Sequence, residues 1–364
     1  MRPLFRWLRE YAAPLIQLGQ SGTVLKASVT KGTQARRDEL ARPYRVRYAN
    51  EPPTPSDRLL ACVAHGPCVD IAEALKGNPR MIRVDLPLLA GPKFEIWEST
   101  SPVQTGFHQD IAFAHNERVL LGQVRLSAAA LRDTENSVFN TYALIDELLK
   151  KTQFPHWLRV WNYLGDLHKG SGDQERYRQF VAGRYKALSL QNNFEHHLPA
   201  ATAIGTAGDE LLIYFLAGRS AGWQIENPRQ VSAFRYPRQY GPRSPSFSRA
   251  MLIPWQDGAE LMVSGTASVV GHETLHPGNP AAQLSESMTN MQVILRGAAE
   301  KINLREQDWI PQIGKLYVRS SADADAAMSD LSQLVSPSKL VVMQGDICRS
   351  DLSLEFEATL TASC

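Results

Sequence analysis

The chain of 364 residues is short of cysteine, of long apolar runs and of charge imbalance. Its four cysteines, Cys62, Cys68, Cys348 and Cys364, are irregularly spaced. That spacing suggests neither a disulfide framework nor a structural zinc site, and it fits a reducing cytoplasm. Nowhere do about 18 apolar residues follow one another, so no membrane-spanning helix is expected. The opening stretch MRPLFRWLREYAAPLIQLGQSG is broken by Arg2, Arg6 and Arg9 and lacks the apolar core of a signal peptide. Lysine and arginine total 39 against 37 acidic residues, a net charge of +2. So even a balance gives no electrostatic case for nucleic acid. The glycine-rich patterns of nucleotide sites and the G-x-S-x-G elbow are also missing, which argues against a nucleotide cofactor and an α/β-hydrolase nucleophile.

What is present is an alternation of strands and helices. Residues 1–42 read as an N-terminal extension, its second half polar and basic. Short extended segments follow at YRVRYA (44–49), RLLACVA (58–64), MIRVDLPLL (81–89) and KFEIWES (93–99), punctuated by proline and glycine. Then come a strand (118–127), a helix (138–151), a strand (157–164), a helix (173–188, with Asp173 as expected N-cap) and strands at 201–205 and 210–218. The last third repeats this order: strand 259–271, helix 280–302, strand 315–321, helix 322–335, then strands 339–344 and 352–360. The pattern predicts an α+β fold of two modules, 43–225 and 226–364, each a mixed sheet with helices on one face. The bare second faces would meet, and a cleft between modules is a common place for a small-molecule site.

Six stretches bear on chemistry. In LSLEFEATL (352–360), Leu352, Leu354, Phe356, Ala358 and Leu360 share one strand face, and Glu355 and Glu357 share the other. That polar face is either solvated or lines a site. In WLRVWNYL (157–164), strict alternation puts Trp157, Arg159, Trp161 and Tyr163 together. They form either an aromatic stripe with a stacked arginine or a guanidinium aimed at a carboxylate. On the helix ERYRQFVAGRYKAL, Arg184 falls on the apolar face with Tyr177, Phe180 and Val181. It needs an anionic partner, from the fold or from a ligand. Arg178 lies nearby, and GPRSPSFSRAML adds Arg243 and Arg249. SGTAS (264–268) interrupts a strand with glycine, as a bulge or a place of close approach. HETLH (272–276) matches a zinc-protease pattern, but Gly271 before it and PGNP after it forbid the helix that pattern needs. No metal site is expected.

Taken in order, LRVWNYLGDL, ERYRQFVAGR, PAATAIG, GPRSPSFSRAML, SGTASVVGHETLH and CRSDLSLEFEA resemble the chorismatase family, from about residue 110 to the C-terminus. The resemblance implies a fold similar to RidA (YjgF) modules, and release of pyruvate from chorismate without metal or organic cofactor. The family's catalytic glutamate carries over to Glu355. A cysteine seven residues before it, here Cys348, and a glycine in the SGTAS strand, here Gly265, accompany the branch that forms 3-hydroxybenzoate. Chorismate is a dicarboxylate, so Arg159 with Arg184 or Arg178 are candidate carboxylate ligands, and Tyr214 a candidate hydroxyl donor. The resemblance leaves open a mixed 3- and 4-hydroxybenzoate product, or hydrolysis to a dihydroxycyclohexadiene carboxylate. The fold alone would also admit a RidA-like imine deaminase or a binding protein for an aromatic acid. A cytoplasmic monomer is expected, since two fused modules bury the faces that a single module buries by trimerising.

Overall fold

The structure, a computed structural model, describes residues 41–66, 77–332 and 335–363. The N-terminal extension up to residue 40, Cys68 and Cys364 lie outside the described residues. Strands β1 (Tyr44–Ala49), β2 (Leu59–His65), β3 (Met81–Val84), β4 (Leu88–Ala90) and β5 (Phe94–Ser99) open the chain. A hairpin of β6 (Gln104–His108) and β7 (Ile111–His115) leads to β8 (Val119–Leu126). Then follow α1 (Thr134–Lys151), β9 (His156–Gly165), α2 (Arg176–Leu188), β10 (Ala200–Thr206), β11 (Leu211–Gly218) and β12 (Trp223–Ile225). The C-terminal part has β13 (Ala250–Trp255), β14 (Gly258–Thr266) and a small pair, β15 (Val269–Val270) with β16 (Glu273–Thr274). It closes with α3 (Pro280–Lys301), β17 (Ile310–Val318), α4 (Ala324–Ser332), β18 (Leu340–Gln344) and β19 (Leu354–Ala362).

The class is α+β, as the order of elements predicts. Two mixed sheets share one plan: β10-β9-β11-β8-β7-β6, and β12-β13-β14-β19-β17-β18-β4. In the first, β9 and β10 run parallel across α2; in the second, β17 and β18 run parallel across α4. The last strand of each plan lies inside its sheet: β11 between β9 and β8, and β19 between β17 and β14. Such central strands are buried on both faces and read as continuous apolar runs, as LLIYFLAG does in β11. In β19 the same position holds two glutamates, and that departure marks the site.

Helix ends follow capping chemistry. Asp133 accepts from the Asn136 amide at the start of α1, and Asn279 accepts from the Ala282 amide ahead of α3, with Pro280 in its first turn. Asp173 is not a cap: α2 starts after Glu175, and the Asp173 carboxylate instead takes both terminal nitrogens of Arg238. The α1 positions Val138, Tyr142, Ile145, Leu148 and Leu149 bury against one face of the first sheet, and α3 and α4 cover one face of the second. The bare faces meet in a central core that includes Trp161, Tyr163 and Tyr214 from one sheet and Met262, Tyr317 and Met343 from the other.

Two features depart from the sequence reading. Strands β1, β5, β2 and β3 form a third sheet, which contributes Tyr44, Val63 and Trp97 to the same central core. Strands β4 and β12, from the N-terminal side of residue 225, join the C-terminal sheet. Strand pairing is non-local, and short strands between prolines and glycines carry no mark of their partners. The second departure is Trp157. A bulge places Leu216 opposite Arg159 but Ala217 opposite Trp157, so Leu158 is an extra residue. One inserted residue reverses the alternation beyond it. Trp157 therefore faces the helices, stacked on Tyr142 at 5.8 Å, while Arg159, Trp161 and Tyr163 face the other sheets. Trp157→Ala, by emptying that helix-side position, should cost about 3–5 kcal/mol of stability in urea denaturation.

Candidate active site

The polar face of β19 is not solvated. Glu355 is 5% exposed and Glu357 4%. Opposite them on β17 stand Tyr317 and Lys315 respectively. Room for Glu355 comes from β14, where Val263 pairs with Ala358 and Thr266 with Phe356, so Ser264 and Gly265 share the space opposite Glu357. This bulge brings the Gly265 backbone against Glu355. A Cβ at 265 would overlap a carboxylate oxygen and sit 2.5 Å from its Cδ. The glycine is a bulge and a close approach at once, and the group it admits is the carboxylate of Glu355.

Among the described residues, none donates a hydrogen bond to the Glu355 carboxylate. Burial, followed by the charge of Glu357, pushes Glu355 up to about 8, against a partial pull downward from Arg159 and Arg249. The group therefore carries a proton at neutral pH, which suits a general acid. Cys348 faces the same space from the segment before β19. Burial and then Glu355 push its thiol up to about 12. It is a neutral thiol at neutral pH and not a thiolate.

Both groups line a cavity of about 480 Å³ between α2, β10, the start of β13 and the segment leading into β19. Gly265, Arg178, Arg184 and Arg249 line it as well. The three arginines differ in one respect. Arg178 is already paired, with Glu175 at 3.1 Å and Asp173 at 3.8 Å. Arg184 is 4% exposed and lies over the Tyr142 ring, and its Nε and Nη2 have no hydrogen-bond partner among the described residues. Arg249 is 7% exposed; its Nη2 donates to the Val231 carbonyl and the Tyr236 hydroxyl, but its Nε is also unpartnered. Neither is within ion-pair distance of a carboxylate among the described residues. Two buried cations short of an anion are costly, and an incoming anion would relieve that cost.

Arg159 and Tyr214 do not line the cavity, a correction to their reading as ligand-binding groups. Arg159 is turned to Glu357, with Nη2 2.8 Å from its carboxylate, and lies over Trp161. Tyr214 is fully buried behind it, stacked on Trp161 and accepting from Lys315 Nζ at 2.9 Å. Alternation assigns these side chains to the correct face but does not say that a carboxylate 198 positions away will take the guanidinium. Two lining residues escape the sequence reading. Arg349, beside Cys348, lies 3.9 Å over the Tyr240 ring and donates to the His272 carbonyl. Thr202 bonds Glu357 and accepts from the Gly265 amide at 3.0 Å. No pattern in the chain singles out either one. HETLH is not helical: Glu273 and Thr274 pair with Val270 and Val269, and His276 has a positive φ of 58°.

Gly265→Ala should displace the Glu355 carboxylate and lower turnover by about 10²-fold, the usual weight of a general acid, while the fold survives; a circular-dichroism melt beside kinetics checks this. The raised Glu355 has a consequence for stability. Between its ordinary value of 4.5 and about 8, the folded chain holds a proton that the unfolded chain has released. Stability therefore falls as pH rises through that window. Glu355→Gln should remove this loss and gain roughly 1–3 kcal/mol over the parent on going from pH 4.5 to 8.5, read by urea denaturation at both pH values.

Comparison with known proteins places the chain among relatives. Residues 95–217 match the family model described as chorismatase FkbO/Hyg5-like, N-terminal. A 3-hydroxybenzoate synthase of Streptomyces hygroscopicus is 35% identical over 281 residues, which is 74% of this chain and 82% of that protein. A chorismatase of Streptomyces rapamycinicus is 33% identical over 278 residues, 73% of this chain and 81% of that one. A chorismatase crystal structure superposes with a TM-score of 0.75 at 27% identity, covering 88% of this chain and 98% of the other. With relatives of this identity and extent, the chain belongs to the chorismatase family.

Proposed function

We propose that this chain converts chorismate to 3-hydroxybenzoate and pyruvate, with Glu355 as the proton donor. The observation that carries the reading is the cavity itself. It joins a carboxyl group protonated near neutral pH to two buried guanidinium groups, Arg184 and Arg249, that have no carboxylate within ion-pair distance among the described residues. A ring dicarboxylate with an acid-labile enol ether meets both demands: two anions for two cations, and a carbon base for the acid.

The atoms balance without water. Glu355 gives its proton to the terminal methylene of the enolpyruvyl group, and the ether carbon becomes an oxocarbenium centre. The ring oxygen bearing that group is now a leaving group. The neighbouring ring hydroxyl displaces it, losing its proton to the Glu355 carboxylate, and pyruvate departs. The resulting epoxide opens, and loss of a ring proton aromatises the product. Cys348, a neutral thiol beside the acid, stands where it bears on the displacement and the proton removal. Water reaching the oxocarbenium instead would give the dihydrodiol. Since the faces that build the site meet within one chain, a monomer suffices for it.

Glu355→Gln keeps the shape but cannot donate, so turnover should fall by about 10²-fold or more while chorismate binding largely survives. Arg184→Ala should lower kcat/KM by about 10–100-fold, the weight of one charge-assisted pair, without loss of urea stability, because it removes an unpaired buried charge. Unchanged pyruvate release in either folded variant would return that residue to the fold. Cys348→Ala should go on releasing pyruvate but shift the product toward the dihydrodiol, with pyruvate and aromatic acid measured in parallel.

A further inference from the structure

Glu357 has no part in the chemistry just described, yet it is the most heavily bonded buried carboxylate among the described residues. Arg159 Nη2 lies 2.8 Å from one oxygen and Trp161 Nε1 2.8 Å from the other. Lys315 Nζ stands 3.4 Å away, and the Thr202 hydroxyl donates to it as well. Lys315 is bound in turn to Glu95 at 2.8 Å and to Tyr214. All four charged groups are 2% exposed or less, apart from Glu357 at 4%. Burial alone would lower the Lys315 ammonium, but Glu95 and Glu357 outweigh it and hold it above its ordinary value.

From this geometry we propose that Glu357 is a positioning residue for Glu355, held by Arg159 and Lys315 so that its charge faces the acid and its bond to Thr202 keeps the acid in place. The inference rests on Glu355 being the proton donor. Two paths join the residues. One is electrostatic: Glu357 stands two positions from Glu355 on the same strand face, so its charge opposes a second charge there. The other is a hydrogen-bond path. Thr202 bonds Glu357 and accepts from the amide of Gly265, the residue whose missing side chain makes room for the Glu355 carboxylate.

The network is balanced, two carboxylates against Arg159 and Lys315, but it is not symmetric. Its carboxylate end adjoins Glu355, and Lys315 with Glu95 lies beyond. The groups facing Glu355 are Glu357 from β19, Tyr317 from β17, Arg159 from β9, Arg249 at the start of β13, Tyr177 from α2 and Cys348. Among these Glu357 is the carboxylate, and it is the neighbour that raises Glu355. A merely structural fastening would not need its anion beside the acid, since buried ion pairs are often replaceable by apolar packing without loss of stability.

The test is the alkaline limb of the pH profile of kcat/KM for pyruvate release, which reports the acid of the free enzyme. In the parent it should fall through about pH 8. Glu357→Gln removes the opposing charge and should move the limb to lower pH by about one unit or more. Lys315→Met combined with Glu95→Gln removes a whole ion pair, of which the cation is the member that touches Glu357. That variant should move the limb the other way. Opposite displacements support the proposal. A limb unmoved in the double variant, or moved the same way in both, overturns it. Should Glu357→Gln fail to fold, the upward displacement in the double variant still decides. Glu355→Gln separates the two levels: if it retains parental turnover, the assignment of the acid has failed, whatever Glu357 does.

Discussion

The ion pair between Arg159 and Glu357 is the constraint on which the site depends. It joins β9 of one mixed sheet to β19 of the other, at 2.8 Å and nearly without solvent. A buried ion pair stabilises little by itself, because removing both ions from water costs about what their attraction returns. Its geometry, however, leaves little freedom. Trp161 and Thr202 take up the remaining bonding capacity of Glu357, and Lys315 ties it to the third sheet through Glu95. The two sheets are thereby fixed in one mutual position, and the neighbouring Glu355 is fixed with them. A general acid works only if its carbon partner is met at hydrogen-bond range, so an interface that fixes the sheets also serves the chemistry.

The contrast between Glu355 and Glu357 shows how environment separates two identical side chains. Both sit on one strand, two residues apart and equally buried. Glu357 is bonded by Arg159, Lys315, Trp161 and Thr202; among the described residues none donates to Glu355, which stands against a glycine backbone, across the ladder from Tyr317 and at the open cavity. Only Glu355 is left as an acid facing open space, the separation expected where paired carboxylates divide their roles.

Much of this was readable from the chain, for reasons that differ by residue. Glu355 and Glu357 stood out as two carboxylates on one strand face, which alternation left either solvated or lining a site, and the family resemblance singled out Glu355. Arg184 stood out because helical spacing placed it on a buried face. In each case the signal is local, within a turn or a strand. What stayed hidden was pairing across long separations. That Arg159 would meet Glu357, that Tyr214 would be spent on Lys315, and that residues 44–99 would close a third sheet are all non-local facts. Trp157 was misplaced by a bulge, since alternation holds only while the register is unbroken. Arg349 and Thr202 carried no signal, being ordinary residues made special by the cavity they line.

Two single-residue irregularities flank the site: Leu158 in β9, next to Arg159, and the Ser264–Gly265 step in β14, opposite Glu357. Each is in effect an insertion of one residue into an otherwise ordinary ladder. Deleting one residue from the β14 step would let that strand pair with β19 in unbroken register, and the gap that receives the Glu355 carboxylate would close. The sheet would lose nothing in pairing, and the cavity would lose its acid. In terms of heritable change, the distance between a plain two-sheet core and this site is therefore as short as a single codon added or removed, a kind of change that substitution-based comparison of relatives does not count.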